Sequence, residues 1–337
     1  MKLVVQIPCY NEADSLARVI AEIPAEIAGI DTVSVLVIDD GSSDATSQVA
    51  RDAGAEVVRH STNRGLAQAF VTGIEAALQM EADIIVNTDG DHQYPGEYIP
   101  ALVSPLVRGR ADLVIGNRQP ARDPNVPARK KFFYRVGNTV VRSVTGVDIH
   151  DAPSGFRAMS RDFALRVFLT NPFSYTIETI FSAAEARCLV LEIPIRPNRP
   201  RRPSRLFGSL SEYITRSAQI IVQGYSMHKP LRAFAWLSLP FLLLGVAIAA
   251  RFLYYFVQDP SRSGHIQSLI LAAVAVVVGA QIFIFGMLGS LVRTNRLLLQ
   301  DIRLRMRRLE LEKGRPPRPE AGDDTSPTVV VEPESER

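Results

Sequence analysis

The stretch DIIVNTDGDHQYP, residues 83–95, joins a short apolar run to two carboxylates, Asp89 and Asp91, that stand one residue apart. The run DIIV has the length and composition of a buried strand, so both aspartates follow directly on the end of that strand. An isolated D-x-D sequence is usually a polar turn. Whether this one binds a ligand depends on the residues that the rest of the chain brings to the same place.

The composition is that of a folded protein with two basic regions. The 337 residues suffice for one large domain or two smaller ones, and 47% hydrophobic with 22% charged residues excludes disorder throughout. The net charge is only +3, but basic residues concentrate in RPNRPRRPSR (196–205) and RTNRLLLQDIRLRMRR (293–308). Such runs favour anionic ligands or an anionic membrane surface. Cys9 and Cys188 form no C-x-x-C motif and predict no disulfide framework.

The first 118 residues alternate strand and helix patterns. The predicted strands are LVVQIP, SVLVIDD, EVVRH, DIIVNTD and DLVIGNR, and the predicted helices between them include ADSLARVIAEI and GLAQAFVTGIEAALQM. This alternation predicts βαβ units and a parallel sheet covered on both faces, the α/β class. Ligands of such sheets bind outside the carboxyl ends of the strands. Polar residues follow four strands, in PCYNE, DDGSSD, DGDHQ and GNR, so they should meet at that edge.

Residues 119–208 complete the predicted catalytic domain, 1–208, with a less regular pattern. It contains a helix in FFYRVGNTVVRSVTG, a turn in DAPSGF, a helix in SYTIETIFSAAEARC and a strand in LVLEIPIR. The next segment, 209–229, carries an apolar stripe at helical spacing. We interpret it as an amphipathic juxtamembrane helix on a membrane surface, with a plain surface helix packed on the core as the alternative.

Two apolar segments, 233–257 and 266–292, each exceed the ~20 residues that a membrane-spanning helix needs. They predict a transmembrane hairpin over 230–292. Small residues spaced four apart within these segments allow two helices to approach closely. They therefore also permit a homo-oligomer that forms through these helices.

Basic residues flank the predicted hairpin on one side. They are Lys229, Arg232, Arg293 and Arg296. The positive-inside rule therefore predicts a multi-pass protein of the cytoplasmic membrane, with its catalytic domain and C-terminus in the cytosol. Residues 293–310 predict a basic cytosolic helix. Residues 311–337, rich in proline and charge, predict a disordered tail.

The residue types at the strand ends suit phosphate chemistry with a metal. Asp39 and Asp40 follow the second strand, where a carboxylate can accept hydrogen bonds from a base N–H or a ribose hydroxyl. Asp89 and Asp91 suit a hard divalent cation, Mg²⁺ or Mn²⁺, that binds substrate phosphates. The sequence has no Cys/His cluster typical of zinc. No glycine-rich phosphate loop follows the first strand, which argues against dinucleotide enzymes and P-loop NTPases.

Several motifs appear in a fixed order along the chain. They are PCYNE, DDGSSDAT, NRG (63–65), D-x-D followed by Gln93 and Pro95, and GNR (116–118). Together they resemble the family 2 glycosyltransferases with the GT-A fold, whose sheet is mostly parallel. DAPSGFRAMSR (151–161) and RPRRPSRL (199–206) resemble the polyprenyl-phosphate branch, which includes dolichyl-phosphate mannose synthases and undecaprenyl-phosphate glucosyltransferases.

The resemblance covers residues 1–228 and implies an inverting, metal-dependent enzyme. It would move one sugar from a UDP-sugar or GDP-mannose to a membrane polyprenyl phosphate. The implied metal ligands are Asp89, Asp91 and Gln93. The implied nucleotide-binding residues are Pro8, Tyr10, Glu12, Asp39, Asp40 and Asp89. The implied acceptor and phosphate-binding residues are Arg118, Arg135, Ser154, Ser204 and Arg205. The implied catalytic residues are Asp91, Arg118, Arg135, Asp151 and Arg202. Gly155 and Glu178 are further candidates beside the sugar or acceptor.

The sequence departs from the family pattern at two places. His92 stands where the family usually has an apolar residue, and Ser204-Arg205-Leu206 replaces the usual S-K-L. Arginine keeps the charge of lysine but not its geometry. The choice of pyrophosphate-binding arginine among Arg199, Arg201 and Arg202 therefore stays open.

Three other functions are weighed against this one. A processive polysaccharide synthase with the same fold usually carries Q-x-x-R-W, but the single tryptophan, Trp236, lies outside such a pattern. A second alternative is a membrane-anchored nucleotide-sugar binder without activity. The third is a nucleic-acid-binding protein; the basic runs lack interleaved aromatics, so we expect no nucleic-acid partner.

The proposed reaction does not require a strong general base, because a phosphate monoester acceptor is already anionic. The sequence likewise shows no evident His–carboxylate pair that could serve as one.

Overall fold

The computed structural model describes residues 1–120, 128–167, 169, 175–198, 229–258 and 266–312. These residues fall into two compact units, which lie within Met1–Ser217 plus Ile302–Arg337 and within Ala218–Asp301. Three predicted segments lie wholly or largely outside the described residues: the basic loop 199–206, the amphipathic segment 209–229 and the tail 311–337.

Within the described residues, one seven-stranded sheet forms the centre of the first unit. Its strands are β1 (Lys2–Cys9), β2 (Thr32–Asp39), β3 (Glu56–Arg59), β4 (Ile84–Asn87), β5 (Leu113–Asn117), β6 (Arg157–Ser160) and β7 (Val190–Pro194). Their order is β3-β2-β1-β4-β6-β5-β7. Only β6 runs antiparallel, to both β4 and β5. This mostly parallel sheet confirms the predicted α/β class. We did not predict β6, because four residues that include an arginine give too short an apolar pattern.

Helices cover both faces of the sheet, as predicted. They are α1 (Ala13–Ala21), α2 (Thr46–Asp52), α3 (Leu66–Gln79), α4 (Ile99–Val107), α5 (Ala128–Thr145), α6 (Arg161–Arg166) and α7 (Tyr175–Glu185). Alternate strand residues enter two separate cores: Val4 and Ile85 lie in one, Leu3 and Ile84 in the other. Each fully buried aliphatic side chain contributes about 1.5–3 kcal/mol. Helix α6, which is short, and α4, which contains two prolines, were not predicted.

The strand register brings the polar strand ends to one edge. Cys9 pairs with Asp39 across β1 and β2, and Gln6 pairs with Asn87 across β1 and β4. Because these strands are parallel, the loops that follow them emerge side by side. Gly41 makes the turn after β2 with a φ of +72°, and a Cβ there would lie 2.7 Å from the backbone carbon of Thr62. Only glycine allows the loops after β2 and β3 to approach this closely.

Among the described residues, the second unit consists of α8 (Pro230–Gln258) and most of α9 (Ile266–Glu312). Both helices are long and apolar enough to cross a bilayer and are largely exposed. They pack closely where glycines lie: a Cβ on Gly245 would meet Val276 at 2.6 Å, and one on Gly279 would meet Leu242 at 2.8 Å. The predicted homo-oligomer through these helices stays a prediction.

Helix α9 continues without a break through the predicted basic helix 293–310. Its last turns belong to the first unit. Leu304 and Leu311 pack against one of the two cores. Arg307 Nη2 donates to Glu75 Oε1 of α3 at 2.5 Å, and a second arginine, Arg308, bonds to α6. The basic helix is therefore anchored on the first unit by both apolar and ionic contacts, which the sequence did not predict.

Candidate active site

The D-x-D loop after β4 lies against two other loops. The Ser15 hydroxyl of α1 donates to the Gly90 carbonyl at 2.6 Å. A Cβ on Gly90 would lie 2.7 Å from the sulfur of Cys9, at the end of β1. A Cβ on Gly155, in the turn before β6, would lie 3.2 and 3.3 Å from the two carboxylate oxygens of Asp89. Glycine at both positions lets the three loops converge on the aspartate pair.

The aspartate pair carries uncompensated negative charge. Burial, the neighbouring charge of Asp91 and, to a smaller extent, that of Glu12 raise the pKa of Asp89, while the nearby Arg118 lowers it; the net result is a pKa of about 7. Asp91 Oδ1 accepts the backbone N–H of Gln93 at 2.9 Å, which fixes the loop. A divalent cation would relieve this repulsion, and the carboxylate oxygens of Asp89 and Asp91 are donors of the kind that a hard cation prefers. The predicted ligand role of Gln93 stays a prediction. No cluster of three or more His, Cys, Asp or Glu residues that could hold a metal ion occurs in the described part of the chain, so the D-x-D loop offers a cation two carboxylates and not three.

Asp39 and Asp40 are buried, and protein groups occupy both carboxylates. Asp40 accepts from the amides of Arg64 at 2.9 Å and Gly65 at 2.8 Å and from His60 Nδ1 at 2.7 Å. Asp39 accepts from the Ser42 amide at 2.8 Å and from the Ser47 hydroxyl. Both aspartates therefore hold the loops 41–47 and 63–65 in shape. Their predicted direct contact with a nucleotide stays a prediction.

The predicted nucleotide-binding residues of β1 lie on the same edge. Pro8 is buried, Tyr10 is 40% exposed and Glu12 is half-buried at the start of α1. The Glu12 amide donates to Thr46 Oγ1 of α2 at 2.9 Å, which joins the loops after β1 and β2. An exposed aromatic ring beside a fixed loop is suited to stacking against a base.

Arg118 and Asp151, two predicted catalytic residues, form a bidentate ion pair. The Arg118 Nε and Nη2 donate to the two Asp151 oxygens at 2.9 and 2.8 Å, and the Arg118 amide donates to Oδ2 at 2.9 Å. Asp151 is fully buried, whereas the Arg118 side chain remains 18% exposed. Glu192 of β7 in turn accepts the Asp151 amide at 3.0 Å. Asp151 is therefore engaged in orienting Arg118 rather than free to act as a base.

The chain is related throughout most of its length to known glycosyltransferases. Residues 4–168 match the family model for glycosyl transferase family 2. Glycosyltransferase AglJ of Haloferax volcanii is 30% identical over 293 residues, which cover 85% of this chain and 91% of that protein. The chain belongs to glycosyl transferase family 2. The undecaprenyl-phosphate mannosyltransferase of Micrococcus luteus is 29% identical over 206 residues, 58% of this chain and 83% of that protein.

A solved structure confirms the predicted GT-A fold of this glycosyltransferase. Glucosyl-3-phosphoglycerate synthase of Mycobacterium tuberculosis, crystallised with Mn²⁺, UDP and phosphoglyceric acid, aligns with a TM-score of 0.52 at 20% identity. The alignment covers 65% of this chain and 78% of that one.

The glycosyltransferase holds its DAPSG turn, which faces Asp89, through buried polar contacts. The Ser154 hydroxyl donates to the Gly116 carbonyl at 2.6 Å, and the Gly155 amide donates to the Tyr94 hydroxyl at 3.1 Å. Arg157, which the sequence reasoning missed, is fully buried beneath the turn. It donates to three backbone carbonyls, those of Ala152, Ser154 and Thr176. Burial lowers the pKa of Arg157 to about 10. No sequence signal pointed to Arg157, because β6 is only four residues long.

Of the other predicted residues, two lie on helices of the first unit and the rest lie outside the described residues. Arg135 lies on the exposed side of α5, and Glu178 lies half-buried in the first turn of α7. Arg202, Ser204 and Arg205 lie outside the described residues, as do Arg199 and Arg201. Their roles stay predictions.

Three histidines of the described residues pair with carboxylates that are distant in sequence, which the sequence did not reveal. They are His60 with Asp40, His92 with Glu22 and His150 with Glu192. His92 Nε2 lies 2.7 Å from Glu22 Oε1, and this bond lowers the pKa of Glu22. Asn198 donates to the carbonyl oxygen of His92 at 3.0 Å. His92 thus joins the D-x-D loop to the residue that directly precedes the segment 199–206. The partners are distant in sequence, so no local motif announces them.

Proposed function

We propose that this glycosyltransferase moves one sugar from a nucleotide-diphosphate sugar, a UDP-sugar or GDP-mannose, to the phosphate of a membrane polyprenyl phosphate. One observation carries the proposal: the D-x-D carboxylates and the Arg118–Asp151 pair meet at one edge of the sheet, where the charge of Arg118 acts on Asp89. Transfer between two phosphorylated molecules needs groups that neutralise both of them. The Micrococcus relative, named for transfer to undecaprenyl phosphate, supports the acceptor class.

On the donor side, the oxygens of Asp89, Asp91 and Gln93 would hold Mg²⁺ or Mn²⁺. When bound, such a cation neutralises the charge that develops on the leaving diphosphate. Tyr10 offers its exposed ring to the base. Asp40 accepts hydrogen bonds from two backbone amides of the loop 63–65 and so holds this loop at the same edge of the sheet.

On the acceptor side, Arg118 presents a fixed guanidinium to the lipid phosphate. Asp151 holds two of its nitrogens, and Glu192 holds the Asp151 backbone, so Arg118 approaches the acceptor with little rotational freedom left to lose. Arg135 of α5 provides a second positive charge. The acceptor oxygen is already anionic, so direct in-line attack on the anomeric carbon, with inversion, requires no base from the protein.

The two apolar helices would place this site at the membrane, where the acceptor headgroup lies. Basic residues flank the start of the first apolar segment and the end of the second, and they include Lys229 and Arg293. They favour a multi-pass arrangement with the catalytic unit in the cytosol. Labelling of single engineered cysteines at the chain ends in intact cells tests that orientation.

The reaction is tested with purified full-length protein, labelled UDP-glucose, UDP-N-acetylglucosamine and GDP-mannose, and a short polyprenyl phosphate. We expect one donor to yield a lipid-linked monosaccharide. Asp91→Asn should raise the activation free energy by about 3 kcal/mol, which lowers the rate on the order of 100-fold.

The matched control is Asp52→Asn, an exposed aspartate at the end of α2. It removes the same charge away from the site and should leave the rate unchanged. Equal rates for Asp91→Asn and the wild type would refute the assignment of the donor site.

A further inference from the structure

The C-terminal part of α9 carries an exposed stripe with alternating steps of three and four residues. Its members are Val292, Asn295, Leu299, Ile302, Met306 and Leu309. The five apolar side chains are between 53% and 68% exposed, and Asn295 is exposed as well. This spacing is that of a coiled-coil seam, in which each apolar side chain packs between residues of a second helix. We call this set the α9 seam.

The opposite side of the same helix is already occupied. Leu304 and Leu311 pack against a core of the first unit. Arg307 bonds to Glu75, and Arg308 bonds to Asp162 at 3.2 Å. At 3.6 residues per turn, these four side chains lie on the side of α9 away from the seam. Within the first unit, the end of α9 is therefore covered on one side, while Ile302, Met306 and Leu309 of the seam stay exposed.

The seam is flanked by charge, which argues against burial in the hydrocarbon of a bilayer. Arg293, Arg296, Arg303 and Arg305 are interleaved with its members. Charged side chains at this density are costly inside a membrane. From Asn295 onward the seam is therefore an apolar surface beside water, and such surfaces on soluble regions mark interaction sites.

We propose that the α9 seam pairs with the α9 seam of a second copy of this chain, as a parallel coiled coil. Two copies inserted in one membrane with the same orientation present α9 in parallel, so each seam residue faces its own counterpart. With the seam at the a and d positions, Arg305 is a g residue and faces Glu310, the e residue of the other copy, with opposite charge. Asn295 lies at a d position and meets the asparagine of the other copy, where the two side-chain amides can hydrogen-bond to each other. This pairing is independent of the reaction proposed above.

Cysteine cross-linking of the full-length protein in membranes tests the pairing. The background carries Cys188→Ser, and the buried Cys9 is kept. Ile302→Cys and Leu309→Cys, introduced separately, should each form a disulfide between two copies under mild oxidation. Asp301→Cys is the matched control, because it is exposed one position away and points off the seam. Cross-linking of Asp301→Cys as fast as Ile302→Cys, or no cross-linking at both seam positions, would overturn the proposal.

A charge reversal gives a second readout. In the Ile302→Cys background, Arg305→Glu places like charges opposite each other and should slow cross-linking at least about threefold. Adding Glu310→Arg restores opposite charges and should restore the rate. If the double variant is as slow as Arg305→Glu, the two helices do not pair in this register, and the proposal fails.

Discussion

Replacing Asp89 by asparagine should stabilise the metal-free protein while it abolishes sugar transfer. Burial and Asp91 raise the pKa of Asp89 from 3.8 to about 7. That difference of roughly 3 pKa units corresponds to about 4 kcal/mol against the charged, folded state. It is an upper bound, because the side chain is only half-buried. Asparagine removes the charge and keeps the shape.

The sign of the effect fixes its pH dependence. The folded-state pKa lies above that of the unfolded chain, so the penalty is absent below about pH 4, grows between about pH 4 and 7, and is complete above about pH 7. Asp89→Asn should therefore have nearly the stability of the wild type at low pH and exceed it in alkaline solution. Each kcal/mol corresponds to about 2–4 °C in a domain of this size, so the gain should reach several degrees.

The assay is thermal unfolding of full-length protein in detergent with a chelator, at about pH 4 and about pH 8. Added Mg²⁺ should stabilise the wild type, by about 2.7 kcal/mol at a hundredfold excess over Kd, and should have little effect on Asp89→Asn. If Asp89→Asn is less stable than the wild type at the higher pH, the charge repulsion inferred at the aspartate pair is absent.

Three further substitutions test the structure that supports the site. Asp151→Asn breaks a buried bidentate ion pair and should cost about 3–5 kcal/mol of stability. It should also raise KM for the acceptor more than KM for the donor. Equal increases in both KM values would show that Arg118 does not bind the acceptor. Arg307→Ala should cost about 1 kcal/mol in chemical unfolding, and its effect should vanish in a Glu75→Ala background; additive losses would mean that the two residues do not interact. Gly41→Ala should destabilise the protein by more than about 1 kcal/mol, because a Cβ there meets Thr62 at 2.7 Å and φ is +72°; a neutral result in the same unfolding assay would show that the turn can rearrange.

Contiguous motifs let the sequence predict the donor side of the site. Asp89 and Asp91 stand in one short loop after a strand, and the strand alternation that precedes them predicts the sheet edge. The partners of the acceptor side are dispersed. Arg118 and Asp151 are 33 residues apart, and Asp151 and Glu192 are 41 apart. Pairing over such distances depends on the antiparallel strand β6, whose short sequence gave no signal.

In the two long helices as well, part of the structure could be predicted from the sequence and part could not. Length and hydropathy alone predicted both apolar helices. The anchoring of Arg307 on Glu75 could not be predicted, because a run of arginines has the same pattern whether it faces solvent, lipid or another part of the chain. The α9 seam is visible in the spacing of residues 292–309, but only the structure shows which side of the helix is already covered.

The central claim is that metal-assisted neutralisation at the aspartate pair drives transfer to a lipid phosphate. The most direct measurement is the initial rate of polyprenyl-phosphate glycosylation by the full-length enzyme after chelation and again after Mg²⁺ or Mn²⁺ is restored. We predict that chelation stops product formation and that either cation restores it in the wild type but not in Asp91→Asn. An undiminished rate in the presence of excess chelator would contradict the account.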